Sequence, residues 1–124
     1  MSQNQRRKGA YRWGLRAETI AAFALMVKGY RVIERRFAIR QGEVDLIAVR
    51  GDTVAFVEVK ARSELAAALD AVTPQKVRRI STAARVWLAR NPWAVSFTLR
   101  GDVIWIAPRR LPRHFTDAYT LQFF

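Results

Sequence analysis

The sequence predicts a single α/β domain in which one helix precedes three strands and a second helix is followed by further strands. Three observations carry this prediction. The 124 residues are 51% hydrophobic, which is enough for one packed core and not for two. Two strand-like segments share a two-residue turn, and a Thr-Pro pair opens a long helical segment.

The first part of the chain changes in character near residue 14. Residues 1–10 are polar and basic, and we expect them to form a disordered arm ahead of a single domain over residues 11–124. Residues 14–28 are rich in Ala, Leu and Met, which favour helix, and Gly29 is a suitable C-terminal cap. Residues 31–40 mix β-branched and aromatic residues with Arg, which predicts a strand near a sheet edge.

The middle of the chain carries the strongest strand pattern. Residues 44–50 and 53–60 are both predicted as strands, and Gly51-Asp52 between them suits a tight hairpin turn. Residues 61–72 show no clear period, and we expect a mobile loop there.

The second predicted helix begins at Thr73-Pro74, an N-cap followed by proline in the first turn. It runs to about residue 90 and stops at Asn91-Pro92. Residues 95–99 and 102–107 are predicted as two more strands on either side of Arg100-Gly101. No structure is assigned after Pro108.

If Gly51 and Asp52 form a two-residue turn, Arg50 lies opposite Thr53. Counting away from the turn along both strands then sets every other cross-strand pair. Asp45 then lies opposite Glu58, and Glu43 lies opposite Lys60, so four ionisable side chains share one face. The rest of that face, with Ile47 and Phe56, is apolar. The other face, which includes Val44 and Leu46, is apolar as well, so the hairpin is predicted to be central and covered on both sides.

A charged end on a buried hairpin is costly, since each unpaired buried carboxylate costs several kcal/mol. A divalent cation would compensate, because Mg²⁺ accepts a few carboxylates together with water and phosphate oxygens. Lys60 could then orient or deprotonate an attacking water, or neutralise charge on phosphate. The alternative is a pair of cross-strand salt bridges such as Glu43 with Lys60, against which the unpaired Asp45 and Glu58 argue.

The formal net charge of +12 favours a polyanionic partner such as nucleic acid. Lys76, Arg78 and Arg79 lie in the first turns of the second helix, where free backbone N–H groups also attract phosphate. Arg85 and Arg90, further along, fit a solvated face. The chain has no cysteine, which excludes a zinc-thiolate site and is compatible with a cytoplasmic location. No apolar run approaches the roughly 20 residues of a membrane span, so no membrane partner is expected.

Two motifs resemble those of a known family. Gly42-Glu43-Val44-Asp45-Leu46-Ile47 and Phe56-Val57-Glu58-Val59-Lys60 are similar to the GEIDLI and FVEVK signatures of the YraN-like family of small bacterial proteins. That family is grouped with the PD-(D/E)xK nucleases, and archaeal Holliday junction resolvases look similar at the same motifs.

The resemblance implies a restriction-endonuclease-like αβββαβ core with a central mixed sheet flanked by helices. It implies that Asp45 and Glu58 bind Mg²⁺ or Mn²⁺, that Lys60 is catalytic and that a helix glutamate, Glu18 here, assists. From the residues alone, Glu18 lies on the apolar face of the first helix, which is expected to pack against the core. An ion pair with a nearby arginine is then as good an interpretation as a metal ligand.

The remaining assignments are less specific. Arg62, in Lys60-Ala61-Arg62 where the family tends to have Lys-Thr-Arg, joins the predicted nucleic-acid contacts, and Glu43 and Gln75 are supporting residues. Arg100-Gly101-Asp102 stands where the family has Arg-Phe-Asp, and no catalytic role is assigned to it. His114 lies among Arg109, Arg110 and Arg113 and is predicted to be a surface residue without a catalytic role.

Three functions remain open at this point. The first is a Mg²⁺- or Mn²⁺-dependent nuclease acting on DNA, including branched or damaged DNA. The second is a non-catalytic nucleic-acid-binding protein in which the charged cluster only stabilises the hairpin. The third is an assembly or regulatory module that uses the basic surface on a protein partner. A homodimer is compatible with a resolvase-like activity, but no dimer face is legible in the sequence.

Overall fold

The computed structural model describes the backbone of residues 3–123, and the side chains of residues 5 and 13–123. The described residues form three helices, α1 (Gln3–Val27), α2 (Leu65–Asp70) and α3 (Pro74–Arg90), and a 3₁₀ turn at Pro92–Ala94. The strands are β1 (Arg31–Ile39), β2 (Gly42–Arg50), β3 (Thr53–Ala61), β4 (Thr98–Ile106) and β5 (Arg113–Tyr119). Within the described residues, no helix combines the length and the apolar character that crossing a membrane requires.

The five strands form one sheet in the order β1-β2-β3-β4-β5. β3 and β4 are parallel and the other neighbours are antiparallel, so the predicted mixed sheet in a single α/β domain is confirmed. α3 covers one face, where Ile47, Phe56 and Trp87 are buried. α1 covers the other face, where Leu25 and Leu46 are buried. The β2–β3 hairpin is central and covered on both sides, as its apolar pattern predicted.

The start and the end of α3 were predicted correctly from the capping residues at its two ends. Thr73 caps it by accepting a hydrogen bond from the backbone N–H of Lys76 at 3.1 Å, Pro74 occupies the first turn, and the helix ends at Arg90. Gly29, with φ +88°, follows the end of α1 in the left-handed conformation that a glycine cap provides.

α1 begins at Gln3, well before the predicted start at residue 14. Its backbone covers most of the segment for which a disordered arm was expected. Six of residues 3–10 are Gln, Arg, Lys or Ala, which tolerate helix well. The remainder of the predicted arm, residues 1 and 2, lies outside the described residues.

Two expectations for the later part of the chain were wrong. The segment 61–72 is not wholly a loop, because α2 forms within it and buries Ala68 against Trp105 and Ala107. β4 is one strand and not two. Gly101 serves close packing there and not a turn, since a Cβ on it would lie 2.5 Å from the Tyr119 ring.

Candidate active site

The β2–β3 hairpin has the predicted register over five pairs, from Arg50 opposite Thr53 to Leu46 opposite Val57. The pairing then stops, one residue before Asp45 and Glu58. β2 continues beside β1 as far as Gly42, while β3 continues beside β4 as far as Ala61. The two strands therefore part at the end where the charged residues lie.

The parting of the strands corrects the predicted pairing. Asp45 does not face Glu58 in a regular ladder, and its Oδ2 accepts a hydrogen bond from the backbone N–H of Val59 at 2.8 Å. Val44 packs on the α3 side with Ile47, whereas Leu46 packs on the α1 side. The alternation of faces is thus interrupted around Asp45, because the carboxylate replaces the missing ladder partner of β3.

Glu58 lies at the centre of the charged cluster and is only 2% exposed. Its Oε1 is 3.1 Å from the Nζ of Lys60 and 3.6 Å from the Nζ of Lys76. Its Oε2 is buried and has no hydrogen-bond partner among the described residues. The Oε1 atom is therefore paired with two ammonium groups, whereas the Oε2 atom can still accept a hydrogen bond or bind a cation.

Asp45 and Glu58 are neighbours in spite of the broken ladder. Burial, and next to it the charge of Asp45, raises the pKa of Glu58 to about 7. Burial also raises the pKa of Asp45, although the backbone N–H of Val59 and the nearby lysines oppose that rise. Two carboxylates that disfavour simultaneous ionisation are typical of a site that takes a proton or a cation.

Glu43 does not pair with Lys60 as the salt-bridge alternative suggested. Its Oε1 accepts from the Nζ of Lys76 and its Oε2 from the guanidinium of Arg79, both at 2.9 Å. The bond from Arg79, together with that from Lys76, lowers the pKa of Glu43. Lys76 and Arg79, which were predicted as phosphate contacts, are thus bonded to an acidic residue within the cluster.

Glu18 and Asp45 line a common cavity of about 330 Å³ between α1 and the sheet. The carboxylate of Glu18 is bonded to Arg36 at 3.0 Å, and Arg35 lies 4.0 Å away. Burial raises the pKa of Glu18 although these arginines oppose the shift. Glu18 thus forms the expected ion pair with an arginine and also lines the cavity beside Asp45. Its role as a metal ligand stays a prediction.

The acidic residues fit a divalent cation only in part. Across the residues that the structure describes, no three Asp, Glu or His side chains converge closely enough to hold a metal ion. Two carboxylates, Asp45 and Glu58, do meet, and the free Oε2 of Glu58 is the kind of buried oxygen that a cation would satisfy. Mg²⁺ and Mn²⁺ suit such a site, because oxygen ligands from water and phosphate complete their coordination.

The other predicted contacts are distributed around this centre. Arg62 is exposed and lines the same cavity as Asp45. Its backbone carbonyl accepts a hydrogen bond from the indole of Trp105 at 2.7 Å, which fixes the end of β3. Arg78 and Gln75 are exposed on the first turns of α3. Their roles stay predictions.

A second buried acidic centre was not anticipated. Asp102 is fully buried and accepts both bonds of a bidentate Arg100 guanidinium, at 2.8 and 2.9 Å. It also accepts from the backbone N–H of Asp117 at 3.0 Å and bonds Nε2 of His114 at 2.7 Å. The side chain of His114 is 7% exposed, so its prediction as a surface residue was wrong.

The position of His114 has a simple cause. β5 pairs it with Ile104 of β4, a neighbour of Asp102 on the same face of the sheet. Lys28, at the end of α1, lies 2.6 Å from Nδ1 of this histidine. The arginines next to His114 in the sequence do not predict its contacts with Asp102 and Lys28, because these partners lie in other parts of the sequence.

The fold of this chain is similar to that of a solved Holliday junction resolvase. The structure of Archaeoglobus fulgidus Hjc, a Holliday junction resolvase, matches with a TM-score of 0.53 and 23% sequence identity, over 82% of this chain and 75% of that one. At this identity the match establishes the fold.

The chain belongs to the Uncharacterised protein family UPF0102, whose model matches residues 17–106. UPF0102 proteins of Methylobacterium nodulans and Methylorubrum extorquens are 50% and 52% identical to it. The alignments cover 95% and 94% of this chain and 92% and 91% of the respective relatives. UPF0102 is the YraN family, so the family predicted from the two motifs is confirmed.

Proposed function

We propose that this protein is a nuclease that hydrolyses phosphodiester bonds of DNA with the help of Mg²⁺ or Mn²⁺. The observation that carries the proposal is the unpartnered, buried Oε2 of Glu58 beside Asp45, with the ammonium of Lys60 on the opposite oxygen. A cation would satisfy the two carboxylates, and the ammonium would remain available to substrate.

The residues of this chain have separate tasks in such a reaction. Asp45 and Glu58 would hold the cation, which when bound supplies Lewis-acid stabilisation of phosphate charge. Lys60 would orient the attacking water and stabilise the charge that develops on phosphate. The water oxygen bonds to phosphorus, the bond from phosphorus to the sugar oxygen breaks, and one water proton finishes on the released hydroxyl.

Basic residues near the site support DNA as the substrate. Arg36 and Arg62 line the cavity that Asp45 opens into, and Arg78 lies exposed on α3. With a net charge of +12, the chain would attract any polyanion, and phosphate contacts of this kind position a strand without reading its sequence.

The name of the structural neighbour directs the proposal to branched DNA, since that protein is a Holliday junction resolvase. A junction has two symmetric strands to cut, so the proposal includes a homodimer that presents two sites. A cytoplasmic location, with access to DNA and Mg²⁺, belongs to the same proposal.

The test is cleavage of four-way-junction, linear duplex and single-stranded DNA with Mg²⁺, Mn²⁺ or chelator. We expect metal-dependent cutting that falls by at least about 10³-fold in Glu58→Ala. Glu64→Ala, which removes an exposed glutamate that makes no capping bond, is the matched control and keeps wild-type activity. Cutting that persists in Glu58→Ala would contradict the proposal.

A second candidate is a nucleic-acid-binding protein without catalysis. The ion pairs of Lys60 with Glu58 and of Lys76 with Glu43 favour it, because they neutralise part of the cluster without a metal. Salt-sensitive DNA binding by the wild type, with no cutting under any metal condition, would select this candidate.

A further inference from the structure

Lys76 occupies an unusual place for a residue of a basic helix. Its ammonium is 2.9 Å from Oε1 of Glu43 and 3.6 Å from Oε1 of Glu58, the oxygen that Lys60 also contacts. Its side chain is only 24% exposed. Burial alone would lower the pKa of Lys76, but Glu58 and Glu43 outweigh burial and raise it. Lys76 therefore belongs to the charged cluster and not to the outer surface.

The surroundings hold Lys76 firmly in this place. Its backbone N–H is fixed by the Thr73 cap, and Glu43 is itself held by Arg79. α3 also lies directly on the start of β2, because a Cβ at Gly42 would meet the carbonyl oxygen of Arg79 at 1.9 Å. A side chain at position 42 would force the helix away and move both Lys76 and Arg79.

With all of its carboxylates ionised, the cluster has no net charge before a metal binds. Three carboxylates, Asp45, Glu43 and Glu58, lie among three cationic groups, Lys60, Lys76 and Arg79. A divalent cation would leave an excess of two positive charges. That excess complements a phosphodiester under attack, which carries its own negative charge and that of the incoming oxygen.

We propose that Lys76 is a second catalytic ammonium, which donates to a non-bridging oxygen of the phosphate undergoing hydrolysis, and that Glu43 is its positioning residue. This inference rests on the proposed nuclease function. As the water oxygen bonds to phosphorus and the bond to the sugar oxygen breaks, negative charge grows on the non-bridging oxygens. Lys76 stabilises that charge and transfers no proton, while Lys60 acts on the attacking water.

The test compares Lys76→Ala with Arg90→Ala. Arg90 is an exposed residue at the far end of α3, about 21 Å along the helix at 1.5 Å per residue, and its removal changes the net charge equally. We expect Lys76→Ala to lower the single-turnover cleavage rate at saturating DNA by about 100-fold. Arg90→Ala leaves that rate unchanged, and Lys76→Arg restores part of it.

A second measurement needs no catalysis. Without DNA, Lys76→Ala is expected to bind Mn²⁺ several-fold more tightly than the wild type, because an ammonium close to Glu58 no longer repels the cation. Arg90→Ala binds Mn²⁺ like the wild type. Thermal unfolding of each variant establishes that the chain is folded, and Lys76→Met repeats the comparison with the aliphatic stem retained.

Glu43→Gln tests the positioning role. It should lower the cleavage rate less than Lys76→Ala, and the double variant should be no slower than Lys76→Ala alone, because Glu43 acts only through the lysine. Independent effects that multiply in the double variant would refute this role for Glu43.

Other outcomes separate this inference from the function on which it rests. If the wild type cuts DNA and Lys76→Ala cuts at the same saturated rate with only weaker, less salt-sensitive DNA binding, Lys76 is an ordinary phosphate contact and the inference fails alone. Unchanged Mn²⁺ affinity in Lys76→Ala would also overturn it. If the wild type cuts no DNA, the proposed function and the inference fall together.

Discussion

Two of the buried acidic centres in the described part of the chain differ in how completely they are satisfied. Asp102 receives hydrogen bonds from Arg100, from the backbone of Asp117 and from His114. Burial alone would raise its pKa, but the bonds from His114 and Arg100 lower it. Glu58 is also buried, yet one of its oxygens has no partner and its pKa is raised to about 7.

The difference separates a structural centre from a candidate functional one. A saturated carboxylate stabilises the fold and has little capacity for a ligand. A buried carboxylate with too few hydrogen-bond donors is unfavourable in its ionised form until it binds a cation or a proton. Carboxyl groups on neighbouring strands of one sheet thus differ in unused bonding capacity according to the number of donors around each of them.

The largest effect should come from breaking the saturated centre. Asp102→Asn leaves the guanidinium of Arg100 without its charge partner in a partly buried position, and we expect a loss of about 3–5 kcal/mol in the free energy of unfolding. Urea denaturation measures it. A loss below about 1 kcal/mol would show that Asp102 contributes no more than a surface ion pair.

The unsaturated centre should respond in the opposite direction. Glu58→Gln mimics the protonated side chain, so at pH 8 without metal it should be more stable than the wild type by roughly 2–3 kcal/mol. Because the pKa of Glu58 is raised, the contribution of this residue to stability is fully present below about pH 4.5 and is lost as pH rises through about 7.

The pH dependence supplies an internal control for that variant. At pH 4 the wild-type carboxyl is protonated in both states, and the advantage of Glu58→Gln should vanish. An advantage that is equal at pH 4 and pH 8 would mean that it arises from packing and not from the buried charge.

The smallest effect is expected at the edge of the saturated centre. Lys28 is exposed and contacts Nδ1 of His114 at 2.6 Å, while Asp102 holds the other ring nitrogen. Lys28→Ala should cost less than about 1 kcal/mol, because water replaces an exposed hydrogen bond at little cost. A loss as large as that of Asp102→Asn would show that the lysine is an integral part of the network.

Sequence reasoning succeeded where local chemistry decides the structure. Gly51-Asp52 fixed the register of the hairpin, and Thr73-Pro74 fixed the start of α3. It failed where a distant partner decides, as with Gly101, which resembles a turn residue but makes room for the ring of Tyr119. α2 was missed because its short apolar pattern becomes helical only against Trp105.

The same division applies to the candidate site. Adjacent strands brought Asp45 and Glu58 together, and the spacing of Glu58 and Lys60 on one strand was visible in the sequence. The contacts of Lys76 with Glu43 and of Glu18 with Arg36 join residues 33 and 18 positions apart on different elements, so the periodicity within one element does not predict them. The parting of the strands at Asp45 was also hidden, because it depends on β1 and β4 as outer neighbours.

Asp45 and Glu58 form an incompletely satisfied pair that should accept a divalent cation. Calorimetric titration of the metal-free protein with Mn²⁺ at pH 8 tests it most directly, beside Glu58→Gln and Asp45→Asn. Saturable binding of one ion per chain is expected in the wild type, and its loss is expected in both variants. Binding of equal strength in all three proteins, or none in the wild type, would contradict it.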